Sequence, residues 1–298
     1  MRVFVTGATG FIGSAVVRDL LGAGHQVVGL ARSEEGAASL AAAGAEVRRG
    51  TLHDIDVLRA AADAADGVIH TAFIHDFANF DAAADTDRLA IEAFGETLAG
   101  SDRPLVVAAG SAMLKLDGEL TEDFPAPNPP LYPRVSEQTA LAFAANGVRA
   151  SAIRLAPTVH GEGDRAFVPM LIGLAREKGY AAYIGEGANV WPAVHRLDAA
   201  RLFRLALESA PAGSSLHGVA EGDLPYRRIA ETIGANLGMP VESVSGDEVA
   251  EYFGGFAGFA SVDNPTSNAL TRERLGWTPR QVGLIEDMER NGYFTDPK

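Results

Sequence analysis

The chain has 298 residues, 47% of them apolar, and a formal charge of −14, which is length and apolar content enough for one large domain or a main domain with a lobe. The negative charge opposes binding to nucleic acid or to an anionic membrane, since both require concentrated positive charge, and no stretch is apolar for long enough to span a bilayer. With no cysteine, disulfides, thiolate nucleophiles and thiolate metal sites are excluded together.

In chain order, a short apolar strand from Val3 to Val5 runs into Thr6-Gly7-Ala8-Thr9-Gly10-Phe11-Ile12-Gly13 and then into a helix striped by Val16, Val17, Leu20 and Leu21. Strand, glycine loop and helix in that order are the context a dinucleotide-binding fingerprint requires. Gly7 allows the tight turn, Gly10 admits a close backbone approach to a pyrophosphate, and Gly13 lets the helix pack on the sheet. The second strand is Gln26 to Leu30, followed by a helix from Glu35 to Ala43 and a strand from Glu46 to Arg49. A helix over 56–65, a strand from Gly67 to Ala72, a helix over 82–99 and a strand from Leu105 to Ala109 come next, then a helix over 136–146 and a strand over 150–155. This alternation predicts an α/β fold, a Rossmann-type doubly wound parallel sheet, over residues 1–160. Because the first strand begins essentially at Met1, no signal peptide is expected before it and a cytoplasmic location is expected.

After residue 157 the alternation loosens, with helices predicted over 167–178, 198–209 and 225–237. Residues 161–298 are read as mainly a small C-terminal substrate-binding lobe, interleaved with the Rossmann core, that covers the carboxyl ends of the strands. The aromatic, glycine-rich run 252–259 suits either a lid or an association surface. A homodimer is a base-rate expectation.

The end of the second strand bears on cofactor choice. NAD usually meets a carboxylate there, whereas the 2′-phosphate of NADP needs positive charge. The chain reads Gly29-Leu30-Ala31-Arg32-Ser33, with no acid before Glu34. Arg32 with Ser33 favours NADP(H) over NAD(H), because a guanidinium gives a charge-assisted planar contact to phosphate. The alternative is that Arg32 stacks on adenine or faces solvent.

The glycine loop, Gly50-Thr51-Leu52-His53-Asp54, His70-Thr71-Ala72, Ser136, the run from Arg154 to Gly161 and the run from Val194 to Ala200 together resemble the extended short-chain dehydrogenase/reductase family, which includes NAD(P)-dependent epimerases and dehydratases. The resemblance covers nearly the whole chain. It implies cofactor contacts from Gly7, Thr9, Gly10, Phe11, Ile12 and Gly13, with Leu52 near the adenine and Ala72 near the ribose. It places Pro157, Thr158 and Val159 near the nicotinamide amide, and it puts Ser111 at the position of the family's catalytic serine or threonine, where a hydroxyl polarises a carbonyl. A plain turn or cap residue is the alternative for Ser111.

The family's Tyr-x-x-x-Lys motif is missing. In Leu131-Tyr132-Pro133-Arg134-Val135-Ser136-Glu137, alignment on Ser136 puts Pro133 where tyrosine belongs and Glu137 where lysine belongs, so the chain resembles an atypical member. Three substitutes are candidates. Tyr132, held extended by the following proline, could supply a proton. Arg134 could supply a cation, although it does not itself donate protons. His75, beside Asp76 and among Phe73, Phe77 and Phe80, could act as general acid against an apolar substrate wall. Each has a plainer reading as a packing or surface residue, and Glu137 reads as a first-turn helix acid. His53, His160 and His195 show no ligand spacing, so no metal is expected. The leading functional expectation is an NADP(H)-dependent oxidoreductase acting on a small, fairly apolar carbonyl-type substrate. A catalytically inactive NADP(H)-binding regulator or redox sensor, and an epimerase or dehydratase with bound cofactor, are the alternatives.

Overall fold

The computed structural model describes residues 1–112, 114, 118–127, 130 and 132–295, with Phe77 described by its backbone alone. The first half alternates as β1 (Arg2–Thr6), α1 (Phe11–Gly22), β2 (Gln26–Ala31), α2 (Glu34–Ala42), β3 (Glu46–Arg49), α3 (Ile55–Asp63), β4 (Gly67–His70), α4 (Phe80–Leu98), β5 (Pro104–Gly110), α5 (Ser136–Ala142) and β6 (Arg149–Leu155). Then follow β7 (Thr158–His160), α6 (Phe167–Lys178), β8 (Ala181–Ile184), β9 (Ala193–His195), α7 (Arg196–Ser209), β10 (Ser214–Gly218), α8 (Tyr226–Leu237) and β11 (Val241–Val244). Short helices α9 (Asp247–Phe253), α10 (Ala257–Ala260), α11 (Ala269–Leu275) and α12 (Leu284–Arg290) end the described chain.

Seven strands form one parallel sheet in the order β10-β6-β5-β4-β1-β2-β3. Both faces are buried, as a parallel sheet covered by crossover helices requires. Within β1, Val3 and Val5 enter one apolar cluster with Val16, Leu20 and Phe203, while Phe4 enters the opposite cluster with Leu58, Ile91 and Phe94. The period of two along the strand thus divides the core into two layers. A third cluster, built on Val168, Leu171, Trp191, Tyr226, Ile229 and Met288, forms the C-terminal lobe.

Three sequence expectations are corrected. The fourth strand stops at His70, and Thr71 and Ala72 leave the sheet, with the Thr71 hydroxyl donating to the Thr6 carbonyl at 2.9 Å. The helix expected over 136–146 is a seven-residue α5 followed by a 3-10 turn over Phe143–Asn146, closed at Gly147 in the left-handed region. The aromatic side chains of the run 252–259 turn toward the lobe's core: Tyr252 and Phe253 are buried, and Phe256 and Phe259, half-buried, pack against the Trp191 ring, while Gly254, Gly255 and Gly258 are exposed. The strand β10 and the helix α7, from the second half of the chain, belong to the main sheet and its flank.

The turn from β1 into α1 is set by a close approach. Gly7 has φ +67°, and a Cβ on Gly13 would lie 2.0 Å from the Gly7 carbonyl oxygen. On the other side of the sheet, α5 is held by charge. Arg154 of β6, fully buried, donates from Nε and Nη2 to the Glu137 carboxylate at 2.8 and 2.6 Å, and the Ser215 hydroxyl donates to the same carboxylate at 2.6 Å. His217 of β10 lies 2.7 Å from the Ser267 carbonyl through Nδ1, so that nitrogen carries the hydrogen and Nε2 turns its lone pair toward Arg154 Nη1 at 3.4 Å. Burial, then the Arg154 charge, hold the His217 pKa below the ordinary histidine range. His195 is lowered in the same direction by burial and the adjacent His160.

Gly13→Ala should cost about 3 kcal/mol or more, because the methyl meets backbone rather than a movable side chain; a thermal melt close to that of the parent protein would refute this. Glu137→Gln should lose about 3–5 kcal/mol in urea unfolding by leaving Arg154 without its counter-charge. A histidine whose folded pKa is depressed contributes stability above its unfolded pKa and loses it on acidification. Stability should therefore fall as pH drops below about 6.5, and His217→Gln should flatten that part of the profile.

Candidate active site

Beyond the carboxyl ends of the strands, where the order reverses between β1 and β4, lies a cleft of about 650 Å³. This is the crevice in which doubly wound sheets place ligands. Gly7, Gly10, Phe11, Ile12 and Gly13 form its floor. Gly10 is the N-cap of α1 and offers no side-chain cap, so the first N–H groups of the helix remain available. Leu30, Arg32 and Leu52 line one end, and Ala72, Phe73, His75, Pro157 and Val159 line the other. The sequence-derived cofactor positions thus converge, with three exceptions. Thr9 is exposed and does not line the cleft. Thr158 is buried where β7 pairs with β9, its hydroxyl without a hydrogen-bond partner among the described residues. Ser33 spends its hydroxyl as the N-cap of α2, accepting from the Gly36 N–H at 3.1 Å.

A second cation stands beside Arg32. Arg49, at the end of β3, donates to the Ser33 and Arg32 carbonyls and pairs with Glu34 at 2.9 Å. Sequence reading passed over it because its proximity depends on β2 and β3 pairing in register, Ala31 opposite Arg49.

A smaller chamber of about 200 Å³ sits at the end of β5, lined by Phe80, Ala109, Gly110, Tyr132, Arg134 and Gln138 among others. Phe73 stands between the two spaces. It lines the cleft, lies 5.7 Å from the Phe80 ring, and carries the Arg134 guanidinium 4.1 Å above its own ring. Tyr132 is 43% exposed at the chamber mouth. Ser111 lines neither space; its buried hydroxyl lies 3.3 Å from Asn264 Nδ2, as acceptor. His75 lines the cleft and packs edge-on to Phe73. Burial first, then the Arg134 charge, lower its pKa, a direction that suits a neutral imidazole better than a proton donor at neutral pH. The Phe77 side chain lies outside the described residues.

Arg134 is the end of a buried polar chain. Its Nε donates to the Ser136 hydroxyl at 2.9 Å, and its Nη2 donates to the Ala108 carbonyl at 2.9 Å. Ser136 in turn donates to Asp87 at 2.5 Å, whose other oxygen faces His70 Nε2 at 3.0 Å. His70 Nδ1 closes the chain on the Thr6 hydroxyl at 2.6 Å. An ionised carboxylate only accepts, so Nε2 of His70 carries the hydrogen and Nδ1 accepts from Thr6. Burial raises the Asp87 pKa, but the His70 hydrogen bond, the Arg134 charge and the Ser136 hydrogen bond outweigh it, and the net shift is downward. Asp87 had a readable signal: it occupies the apolar stripe of α4, in step with Ala83, Ala84, Ala90, Ile91 and Phe94, where a carboxylate needs a buried partner.

Among the described residues no group of histidine and acidic side chains is arranged to hold a metal, and no helix is long and apolar enough to cross a membrane. His160 instead pairs with Asp287 at 2.9 Å, and His195 caps α7.

Comparison with known proteins places this geometry. The chain is 55% identical to an uncharacterized protein of Schizosaccharomyces pombe, over 99% of this chain and 100% of that one. It is 29% identical to a protein named 2-alkyl-3-oxoalkanoate reductase from Stenotrophomonas maltophilia, over 80% and 77% of the two chains. Its fold superposes on DesIV, a dTDP-glucose 4,6-dehydratase of Streptomyces venezuelae solved with NAD and TYD bound, with a TM-score of 0.75, 21% identity and coverage of 98% and 95%. The family model of the NAD dependent epimerase/dehydratase family matches residues 3–217, and the chain belongs to that family, with the Rossmann-type sheet and cleft of an NAD(P)-dependent enzyme.

Proposed function

We propose that this protein is an NADP(H)-dependent reductase of a small, largely apolar carbonyl compound, working without the Tyr-x-x-x-Lys pair. The observation that carries the reading is the junction at Phe73, where the dinucleotide cleft meets a chamber presenting Arg134 and Tyr132. The cleft suits a dinucleotide on its own geometry. A Cβ on Gly7 or Gly10 would stand 2.7 or 3.1 Å from backbone, so both positions keep the floor low, and the first turn of α1 offers its N–H groups to a diphosphate. Leu30 and Leu52 would flank the adenine, and Ala72, Pro157 and Val159 would border the nicotinamide. Arg32, with Arg49 behind it, supports a 2′-phosphate at the ribose. When bound, the reduced dinucleotide supplies the hydride.

The chain's own residues provide the rest. Nη1 of Arg134 has no hydrogen bond to a described residue, so it is free to donate to a carbonyl oxygen and to hold the negative charge that grows there. Tyr132, at the chamber mouth, gives that oxygen its proton. Ser111, turned to Asn264, is outside this path. The relative named as an oxoalkanoate reductase supports reduction of a ketone. A non-catalytic dinucleotide sensor is the second reading, favoured by the inward turn of Glu137, which leaves its position without a cation facing the cleft.

NADPH oxidation against aldehydes, ketones, quinones and imines tests the assignment. Turnover with one carbonyl class is expected, and tight NADPH binding without turnover on any of them would favour the sensor. Arg32→Ala should weaken NADPH by roughly 1.5–3 kcal/mol with little effect on NADH; equal losses would remove the phosphate contact. Tyr132→Phe should lower kcat roughly a hundredfold, and an unchanged rate would assign the proton elsewhere.

A further inference from the structure

Two arginines of this fold, one buried and one half-buried, take several acceptors each. Arg154 holds Glu137 and the Phe124 carbonyl, and Nη1 of Arg103 alone takes the carbonyls of Ala62, Asp63 and Ala65. Arg196 differs. It is the first residue of α7, and its stem is pressed against Gly161, where an added Cβ would lie 3.2 Å from Arg196 Cγ. Its Nε is buried without a hydrogen-bond partner, and the side chain forms no ion pair within 4.0 Å among the described residues. The nearest aromatic face is that of Phe11, 5.0 Å from the guanidinium carbon.

The electrostatic setting is unfavourable to a lone cation. Arg196 stands at the positive end of its own helix and, through Phe11, at the positive end of α1, which packs along α7. Helix N-termini repel cations and attract anions. Arg18 adds a like charge, while Glu162 and Asp287 act from beyond ion-pair range. The acid in the same first turn, Asp198, is occupied by the N–H groups of Arg280 and Gln281. The arrangement therefore lacks one anion, and it lacks it beside the first residue of the helix that carries the glycine loop.

We propose that Arg196 is the counter-cation for the diphosphate of the bound dinucleotide, reaching it from the α7 side around the Phe11 ring. This rests on reading the cleft as a dinucleotide site, and it assigns a binding residue outside the glycine loop, in the turn that enters α7. Phe11 holds the idle guanidinium over its face in the free protein, and the arginine fork meets the phosphates when the ligand arrives.

The test uses the whole protein and calorimetric titration with NADPH, NADH and ADP-ribose. Arg196→Met keeps the stem that packs on Gly161 and Phe11 and removes the charge. It should weaken all three ligands by a similar factor of tenfold or more, unlike Arg32→Ala, and Arg196→Lys should recover part of the loss. Because the arginine is uncompensated without ligand, Arg196→Met should melt at or above the temperature of the parent protein in the ligand-free state. Unchanged affinities would overturn the proposal, and so would a loss of affinity accompanied by a lowered ligand-free melting temperature, which would mark Arg196 as a packing residue. Failure of the parent protein to bind any of the three would instead overturn the dinucleotide reading of the cleft itself.

Discussion

The bidentate contact between Arg154 and Glu137 fixes how α5 faces the sheet, and the rest of the site follows from that orientation. Two consecutive residues at the start of a helix point about 100° apart, and here they serve two buried networks. Glu137 turns inward to Arg154, Ser215 and β6, while Ser136 turns to Asp87 and α4. Rotating α5 would strip Arg154 of its counter-charge on one side and Asp87 of a hydrogen bond on the other, and an unpaired buried charge costs far more than the pair contributes. The networks act less as a source of net stability than as a registry device, keeping Arg134, two residues earlier, at the chamber wall.

The same orientation decides which side chains of this segment face the chamber and which face the sheet. Glu137 faces the protein interior and carries a carboxylate, so a lysine at this position would place two cations against each other beneath the sheet. The cation that faces the chamber is Arg134, oriented by a separate set of partners, the line from Thr6 through His70, Asp87 and Ser136.

The glycine loop, the alternation of the first six strands and most of the cleft wall were legible because each depends on local pattern: a strand, a tight turn, a helix stripe. Arg32 is suggested by its place at the end of the second strand, and Leu52 and Pro157 by the family resemblance. What stayed hidden depends on contacts between distant segments. Ser33 reads as a phosphate ligand until α2 claims it as a cap. Ser111 reads as catalytic until Asn264, far along the chain, approaches its hydroxyl. The aromatic, glycine-rich run after Glu251 reads in sequence as either a lid or an association surface, and the partner of its rings, Trp191, lies some sixty residues earlier in the chain. Strand β10 escaped notice because a parallel strand added after a long excursion leaves no hairpin signal, only five residues ending in Gly218.

The two borders of the main sheet are guarded by different means. At one border β3 exposes Glu46, Arg48 and Arg49, charges of both signs along an open ladder. At the other, α11 and the segment before it lie over β10: the Thr271 hydroxyl accepts the His217 N–H, and Asn268 donates to the Val219 carbonyl. Unprotected strand edges invite pairing with another chain, and these are the recognised ways of blocking it. With one border charged and the other covered, extension of this sheet by a second copy meets charge at β3 and side-chain hydrogen bonds at β10, which shifts any association of copies toward helix faces and loops.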